Sequence, residues 1–391
     1  MREVYADHAA TTRVVPEALA AMTPFLGAAF GNASSVHRRG EAAREAVEEA
    51  RGRVAALVGA LPEEIVFTAT ASEANNLALK GALPALEARG RRRLVVSAIE
   101  HPSVLETARH LEARGVPLTV VPVGPDGIVD PGRVAGALGD DVALVSVMWV
   151  TNEVGTIQPV REIAALAHAA GALFHCDAVQ AAGRLPVAVG ETGADLLSLA
   201  GHKLGGPPGA AALYVRRRLR LVPLVHGGHQ ERSRRAGTED LAALAGLGAA
   251  AAWAQRRLAA GVPARLGALG ERLRAGLLAA CPDARLNGDP VRRVPTILNL
   301  CFRGVDGEAL LHELDREGIS VSTGSACSAA SPGPSHVLTA MGLSAADAHA
   351  SVRFSLGEGN DEADIDWILE ATPAAVARLR AMNDPGVRRS A

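Results

Sequence analysis

Between residues 65 and 215, seven short apolar runs alternate with stretches of helical periodicity, and this alternation limits the fold more than any other feature of the sequence. Strands that alternate with helices form a mostly parallel sheet with helices on both faces. We therefore predict an α/β fold built on a mostly parallel, seven-stranded sheet. The predicted strands are 65–69, 94–99, 118–123, 143–150, 173–176, 196–199 and 211–215.

The C-terminal part of the chain has a different pattern, which predicts a second, smaller α+β domain. We assign residues 13–255 to the large domain, and residues 1–12 and 256–391 to the small domain. The predicted elements after the sheet are a helical stretch at about 239–278, a strand at 296–302, a helix at 307–317, a loop of small residues around Cys327, a strand at 351–356 and a terminal helix.

Charge and hydropathy favour a cytoplasmic globular protein without membrane or nucleic-acid partners. The formal net charge of −2 gives no reason to expect an anionic partner. The longest apolar run, at 241–254, is too short to span a bilayer, and the N-terminus lacks the pattern of a signal peptide. The four cysteines are far apart and form no Cys-x-x-Cys pair, which argues against a metal site and a disulfide framework.

Only two of the 40 basic side chains are lysines, Lys80 and Lys203. Chemistry that needs a primary amine therefore has two candidates, because a guanidinium group stays protonated and forms no Schiff base. Lys80 lies in a helical pattern, where a solvent-facing lysine is expected. Lys203 lies between a predicted strand and a glycine-rich loop, so we select it as the functional amine over the alternative of an ordinary loop lysine.

Polar residues follow the predicted strands at their carboxyl ends, where parallel α/β sheets bind ligands. Asp177 ends an apolar strand, where a buried carboxylate needs a cationic partner. That partner is either the protonated ring nitrogen of pyridoxal phosphate (PLP) or an arginine. Ser72 opens a helix, either as a plain N-cap or as part of a phosphate site. The residues at the strand ends are His101, Asn152, Asp177, Gln180, His202 and Lys203.

Two further residues are candidates for substrate chemistry. Cys327 lies among serine, alanine and glycine residues that cannot pack a core, so its thiol is a candidate nucleophile on a movable loop. Cys176 and Cys301 lie in apolar strands and are expected to be packing residues. Arg353 lies on a short strand, either as a surface charge or as a bidentate partner for a carboxylate.

Together these residues resemble the NifS/IscS-type cysteine desulfurases, which have the class V aminotransferase fold of PLP enzymes. The resemblance extends from Tyr5 to about residue 368, and its most specific block is Gly324-Ser325-Ala326-Cys327. Other matching blocks include Ser72-Glu73-Ala74-Asn75-Asn76, Glu100-His101, Asn152-Glu153-Val154-Gly155-Thr156, Cys176-Asp177-Ala178-Val179-Gln180, Gly201-His202-Lys203 and Arg235-Ala236-Gly237-Thr238.

The resemblance implies a role for each site residue. Lys203 binds PLP covalently and moves the Cα proton, with help from His101, which stacks on the ring. Asp177 pairs with the ring nitrogen, and Gln180 with the ring hydroxyl. Asn152 and Arg353 bind the substrate carboxylate, and Asn152 also contacts the cofactor. The residues implied for the phosphate are Ala71, Ser72, His202 and, from the partner subunit of a homodimer, Thr238.

The implied activity is conversion of L-cysteine to L-alanine, with the sulfur held as a persulfide on Cys327 and passed to an acceptor such as an iron–sulfur scaffold. One departure from the family pattern is Ala200, where a hydroxyl residue is usual; Thr70 is a candidate to supply that hydroxyl. Alternatives are another class V enzyme, such as a selenocysteine lyase or an aminotransferase, and a non-catalytic sulfur-relay subunit. A nicotinamide dehydrogenase lacks support, since no glycine fingerprint is present.

Overall fold

The computed structural model describes residues 2–323 and 333–383. The strands are β1 (Val4–Tyr5), β2 (Ile65–Thr68), β3 (Arg93–Ser97), β4 (Leu118–Val121), β5 (Val142–Ser146), β6 (Leu173–Asp177), β7 (Leu196–Ala200), β8 (Ala211–Val215), β9 (Ala284–Leu286), β10 (Ile297–Phe302), β11 (Ile319–Ser320) and β12 (Ser351–Ser355). The helices are α1 (Pro16–Met22), α2 (Arg38–Val58), α3 (Ala71–Glu87), α4 (Pro102–Glu112), α5 (Pro131–Ala137), α6 (Val160–Ala169), α7 (Val189–Thr192), α8 (Gln230–Ser233), α9 (Leu241–Ala259), α10 (Val262–Ala280), α11 (Gly307–Arg316), α12 (His336–Ala340), α13 (Ala345–His349) and α14 (Glu362–Asn383).

The predicted seven-stranded sheet is confirmed, with strand order β2-β8-β7-β6-β5-β3-β4. Strands β7, β6, β5, β3 and β4 are parallel, whereas β8 pairs antiparallel with both β7 and β2. Since β2 therefore runs in the same direction as the parallel strands, its carboxyl end lies at the same edge of the sheet as theirs. Strand β5 ends before the predicted residue 150, although Val147, Met148 and Val150 remain buried.

A second set of elements packs around its own apolar core. Strands β12, β10 and β9 form an antiparallel sheet, and β1 pairs with β11. Helices α10, α11 and α14 contribute buried side chains to this core, as does Val4 of β1. The N-terminal strand thus joins C-terminal elements, as the predicted small domain requires; the domain boundaries themselves stay a prediction.

The helical stretch predicted at 239–278 is two helices, α9 and α10. Gly261 separates them with a φ of 71°, a left-handed conformation that glycine adopts without strain. Pro263 then occupies the first turn of α10, where its missing N–H costs no hydrogen bond. Within residues 2–323 and 333–383, we find no helix long and apolar enough to cross a membrane.

Candidate active site

A cavity of about 250 Å³ lies at the carboxyl ends of the parallel strands. We call it the strand-end cavity. Two of the predicted site residues are not in its wall: Thr238 is exposed elsewhere on the chain, and Cys327 lies outside the described residues. The predicted residues that line it are Ala71, Ser72, His101, Asn152, Asp177, Gln180, His202, Lys203 and Arg353.

Lys203 ends a single 3₁₀ turn that follows β7, and its side chain faces the N-terminal segment of the chain. Its Nζ donates hydrogen bonds to the carbonyl oxygens of Ala9, at 2.5 Å, and Ala10. The other lysine, Lys80, is tied to Asn76 Oδ1 at 2.6 Å within α3 and does not line this cavity. Lys203 is therefore the amine that the fold brings to the strand ends.

Asp177 is the last residue of β6 and is buried. Its Oδ1 accepts a hydrogen bond from the Val179 N–H at 3.0 Å, and its Oδ2 accepts one from Asn75 Nδ2 at 2.8 Å. Among the described residues no arginine forms an ion pair with it, which argues against the salt-bridge alternative. A buried, oriented carboxylate of this kind is able to accept a cationic group of a ligand.

His101 caps the N-terminus of α4 and lies near Asp177. Its Nδ1 accepts a hydrogen bond from the Ser103 N–H at 3.1 Å, so in the neutral ring Nε2 carries the proton. Ser103 Oγ also contacts Nδ1 at 2.8 Å and accepts a hydrogen bond from Asn75 Nδ2. Burial lowers the pKa of His101, the Asp177 charge opposes this shift, and Lys203 adds to it.

The N-terminus of α3 forms another wall of the cavity. Thr70, not Ser72, is the N-cap: its Oγ1 accepts a hydrogen bond from the Glu73 N–H at 3.0 Å. The helix begins at Ala71, so Ser72 lies inside its first turn, and the alternative that Ser72 is a plain N-cap is wrong. First-turn N–H groups such as those of Ala71 and Ser72 favour an anion. Burial lowers the pKa of the neighbouring His202 to about 4, which leaves its ring neutral.

Arg353 is buried, with an exposed fraction of 1%, so the surface-charge alternative is wrong. Its Nη2 donates to Asp7 Oδ1 at 2.7 Å, and its Nη1 donates to the Asn152 carbonyl at 2.8 Å. Strand β12 lies beside the N-terminal segment, with an isolated bridge between Asp7 and Ser355. This pairing brings a guanidinium group from the far end of the sequence into the strand-end cavity.

Comparisons with known proteins decide the family. The model of the family described as aminotransferase class-V matches residues 4–368. The chain belongs to the aminotransferase class-V family.

Relatives within this family are similar along nearly the whole chain. A protein of Enterobacter agglomerans named "Cysteine desulfurase" is 43% identical over 384 residues, which cover 98% of this chain and 95% of that protein. An "IscS-like cysteine desulfurase" of Mycobacterium tuberculosis is 48% identical over 383 residues, covering 96% and 97%. The solved structure "NIFS-LIKE PROTEIN" superposes with a TM-score of 0.90 at 33% identity, covering 97% of this chain and 100% of that one.

In this class-V member the cavity also contains residues that the sequence did not single out. Asn75 and Ser103 link Asp177 to His101, as described above, and Glu153 and His336 also line the wall. His336 Nε2 donates to the Glu100 carbonyl at 2.9 Å. These residues lie inside helices or loops rather than directly after a strand. The strand-end signal that located Asp177 and Lys203 is therefore missing for them.

The described cysteines are unsuited to nucleophilic chemistry. Cys176, Cys281 and Cys301 are all buried, which confirms the packing role predicted for Cys176 and Cys301. Burial raises the pKa of each of the three thiols, so the reactive thiolate form is disfavoured. Of the four cysteines, Cys327 alone remains a candidate, and it does so on its sequence setting.

Proposed function

We propose that this class-V family member is a PLP-dependent cysteine desulfurase. The observation that carries the proposal is the placement of Lys203 and Asp177 in the wall of one cavity, in a chain whose relatives are named cysteine desulfurases. In this proposal L-cysteine is converted to L-alanine, and the sulfur is stored on Cys327 as a persulfide.

The cavity wall fits PLP. Two buried amide oxygens in it, Asn75 Oδ1 and Gln180 Oε1, have no hydrogen-bond partner among the described residues. Since unpaired buried polar atoms are rare, they indicate capacity for a ligand. In the proposed arrangement the α3 N-terminus and His202 hold the phosphate, Asp177 the ring nitrogen and Gln180 the ring hydroxyl. The Thr70 hydroxyl accepts the capping hydrogen bond but retains its proton. It is therefore able to donate a hydrogen bond to the phosphate in place of the hydroxyl that Ala200 lacks.

PLP, when bound, supplies an electron-poor ring that stabilises negative charge at the substrate Cα. Lys203 would hold the cofactor, and its Nζ would accept the Cα proton of the substrate. His101 would lie against the cofactor and would assist the proton transfer through Nε2, since its Nδ1 is committed to Ser103. Asp177 keeps the ring nitrogen protonated, and Asn75 holds the Asp177 carboxylate in position.

The substrate carboxylate binds Arg353 and Asn152. Arg353 is held by Asp7 and by the Asn152 carbonyl, so the two residues are already positioned relative to each other. A fixed guanidinium group recognises a carboxylate with two parallel hydrogen bonds and loses little conformational freedom in doing so. This contact would hold the substrate in the cavity that Lys203 also lines.

Cys327 then attacks the substrate sulfur. Its thiolate forms an S–S bond with Sγ while the Cβ–Sγ bond breaks. The electron pair of the broken bond stays on Cβ, which takes up a proton from a general acid or water. The proton that Lys203 Nζ accepted returns to Cα, and the product leaves as L-alanine. The persulfide sulfur is passed to an acceptor protein that serves iron–sulfur cluster or thio-cofactor synthesis. The proposal includes a cytoplasmic homodimer in which the partner's Thr238 completes the phosphate site.

The proposal is tested by incubating the purified protein with L-cysteine and measuring alanine and sulfide beside the absorbance of the bound cofactor. We expect the Cys327→Ala variant to keep the cofactor but to lose both products by at least about 10³-fold, as expected for a lost nucleophile. The matched control is Cys281→Ala, which removes a buried thiol and should retain most activity.

Two results would overturn parts of the proposal. Unchanged products from Cys327→Ala would remove the persulfide step and favour another class-V reaction, such as that of a selenocysteine lyase. Absence of any cofactor absorbance in the wild-type protein would remove the PLP assignment altogether.

A further inference from the structure

A second cavity of about 250 Å³ lies on the other side of Lys203 from the strand-end cavity. Lys203 is in the wall of both. One side of the second cavity consists of residues next to the seven-stranded sheet, including Leu204 and Trp253, and the other of residues packed with the small sheet, including Leu266 and Leu356. The proposed desulfurase reaction makes no use of this cavity.

Positive charge is in excess in its wall. Besides Lys203, three arginines line the cavity, Arg13, Arg184 and Arg257, whereas Glu358 is the one acidic residue that does so among the described residues. Glu358 pairs with Arg257 at 2.9 Å, but its side chain is 52% exposed to solvent, so it neutralises this charge only in part.

Arg184 has no acidic side chain to offset its charge in the described part of the chain. Among the described residues, its guanidinium group donates only to two backbone carbonyls, those of Gln180 at 3.3 Å and His8 at 3.2 Å. Within residues 2–323 and 333–383 no carboxylate lies within ion-pair distance of it. Burial, together with the charges of Arg257 and Arg353, lowers its pKa to about 10, so it remains a cation at neutral pH.

Unpaired hydrogen-bond donors occur in the same wall. Arg257 Nε and Thr296 Oγ1 are buried and have no hydrogen-bond partner among the described residues. The Arg257 guanidinium group also lies over the Trp253 ring, 4.3 Å from its centroid, which fixes its orientation. Buried donors without acceptors are costly, so the missing partner is an acceptor, and next to cations an anionic oxygen suits best.

We propose that the second cavity binds a small organic monocarboxylate with an aromatic or branched apolar body. The carboxylate lies against Arg184, Arg257 and the Thr296 hydroxyl. The apolar body lies against Leu204, Trp253 and Leu266, which would repel a bare inorganic anion. The volume restricts the ligand to a small molecule, since drug-sized sites are typically about 300–1,000 Å³. This site does not depend on the proposed desulfurase activity.

Phenylacetate is the probe, and its neutral analogue phenylacetamide tests the need for charge. Binding to the PLP-loaded protein is measured by isothermal titration calorimetry in the presence of 20 mM L-alanine, because a carboxylate also suits Arg353 in the strand-end cavity. We expect phenylacetate to bind at millimolar concentration or below, and phenylacetamide to bind at least about tenfold more weakly. No heat of binding, or binding that L-alanine abolishes, would overturn the proposal.

Three variants locate the site. Arg257→Gln should weaken phenylacetate binding at least tenfold, whereas Arg256→Gln, its exposed neighbour on α9, should leave affinity within twofold of the wild type. Thr296→Val removes a donor without changing shape and should weaken binding severalfold, which covers the case in which Arg257→Gln fails to fold. Equal affinity in wild type and in the folded variants would place the probe elsewhere and refute the site.

Discussion

Lys203 lies between two cavities of similar volume, about 250 Å³ each, whose unpaired buried atoms differ in kind. In the strand-end cavity the key side chains are held by neighbours: Asn75 holds Asp177, and Ser103 holds His101. In the second cavity Arg257 retains an unpaired buried donor. Both cavities therefore leave polar atoms for a ligand, but the unpaired oxygens of Asn75 and Gln180 suit a ligand donor, whereas the unpaired donor of Arg257 suits an acceptor.

The largest expected effect comes from the residue that both cavities share. Lys203→Arg keeps the positive charge but removes the primary amine, so alanine formation should fall at least about 10³-fold, in the range of a lost general acid–base group. Phenylacetate binding in the second cavity should stay within threefold, because the charge is kept. Enzymatic assay and calorimetry on the same preparation measure both effects.

Lys80→Arg is the matched control, since Lys80 is bonded to Asn76 within α3 and lies outside the strand-end cavity. It should change neither the rate of alanine formation nor the affinity for phenylacetate by more than twofold. Alanine formation that survives Lys203→Arg would refute the assignment of the functional amine. A large loss of phenylacetate binding would show that the two cavities are not independent.

The two cavities also differ in how far the sequence could predict them. The strand-end cavity was predictable because polar residues directly follow apolar strands whose carboxyl ends meet at one edge. Lys203 stood out further as one of two lysines. The fold class and the seven strands followed from the alternation of apolar runs with helical stretches. The separation of α9 from α10 at Gly261 did not follow from it.

The second cavity gives no comparable signal. Its wall consists of short, mostly apolar segments scattered along the chain between residues 8 and 359, and their proximity depends on how the two cores pack. Arg184 and Arg257 are two of 38 arginines, since two of the 40 basic residues are lysines. Nothing in their local sequence indicates that Arg184 has no acidic partner among the described residues. Asn75 was missed for a related reason, because it lies inside a helix.

A smaller effect is expected from the residue that holds the strand-end cavity rigid. Asn75→Ala removes a hydrogen bond to Asp177 and one to Ser103. Leaving these buried groups unpaired costs about 1–3 kcal/mol, which corresponds to a loss of between about fivefold and about 150-fold in kcat. Because Asp177 would be less well held, the pH at which the cofactor absorbance changes should also shift, which a purely structural role would not cause.

Asn76→Ala provides the comparison, since Asn76 lies next in the sequence but bonds to the Ser72 carbonyl and to Lys80. It should alter kcat less than twofold and leave the absorbance profile unchanged. Equal effects of the two substitutions would mean that Asn75 acts through the stability of α3 and not through Asp177.

The smallest effect concerns stability and involves Glu100, which is fully buried behind the strand-end cavity. Burial raises its pKa from 4.5 to about 8, and the charge of Asp177 adds to the shift. The folded protein thus keeps a proton that the unfolded chain loses, so the contribution of Glu100 to stability is complete below pH 4.5 and declines as the pH rises towards 8.

Glu100→Gln removes this decline. Between pH 5 and pH 8 its Tm should fall less than that of the wild type, by about 2 °C or more. The control is Glu106→Gln, an exposed change on α4, whose Tm should depend on pH as that of the wild type does in the same calorimetric series. If the Tm of Glu100→Gln also depended on pH as that of the wild type does, Glu100 would be ionised in the folded state.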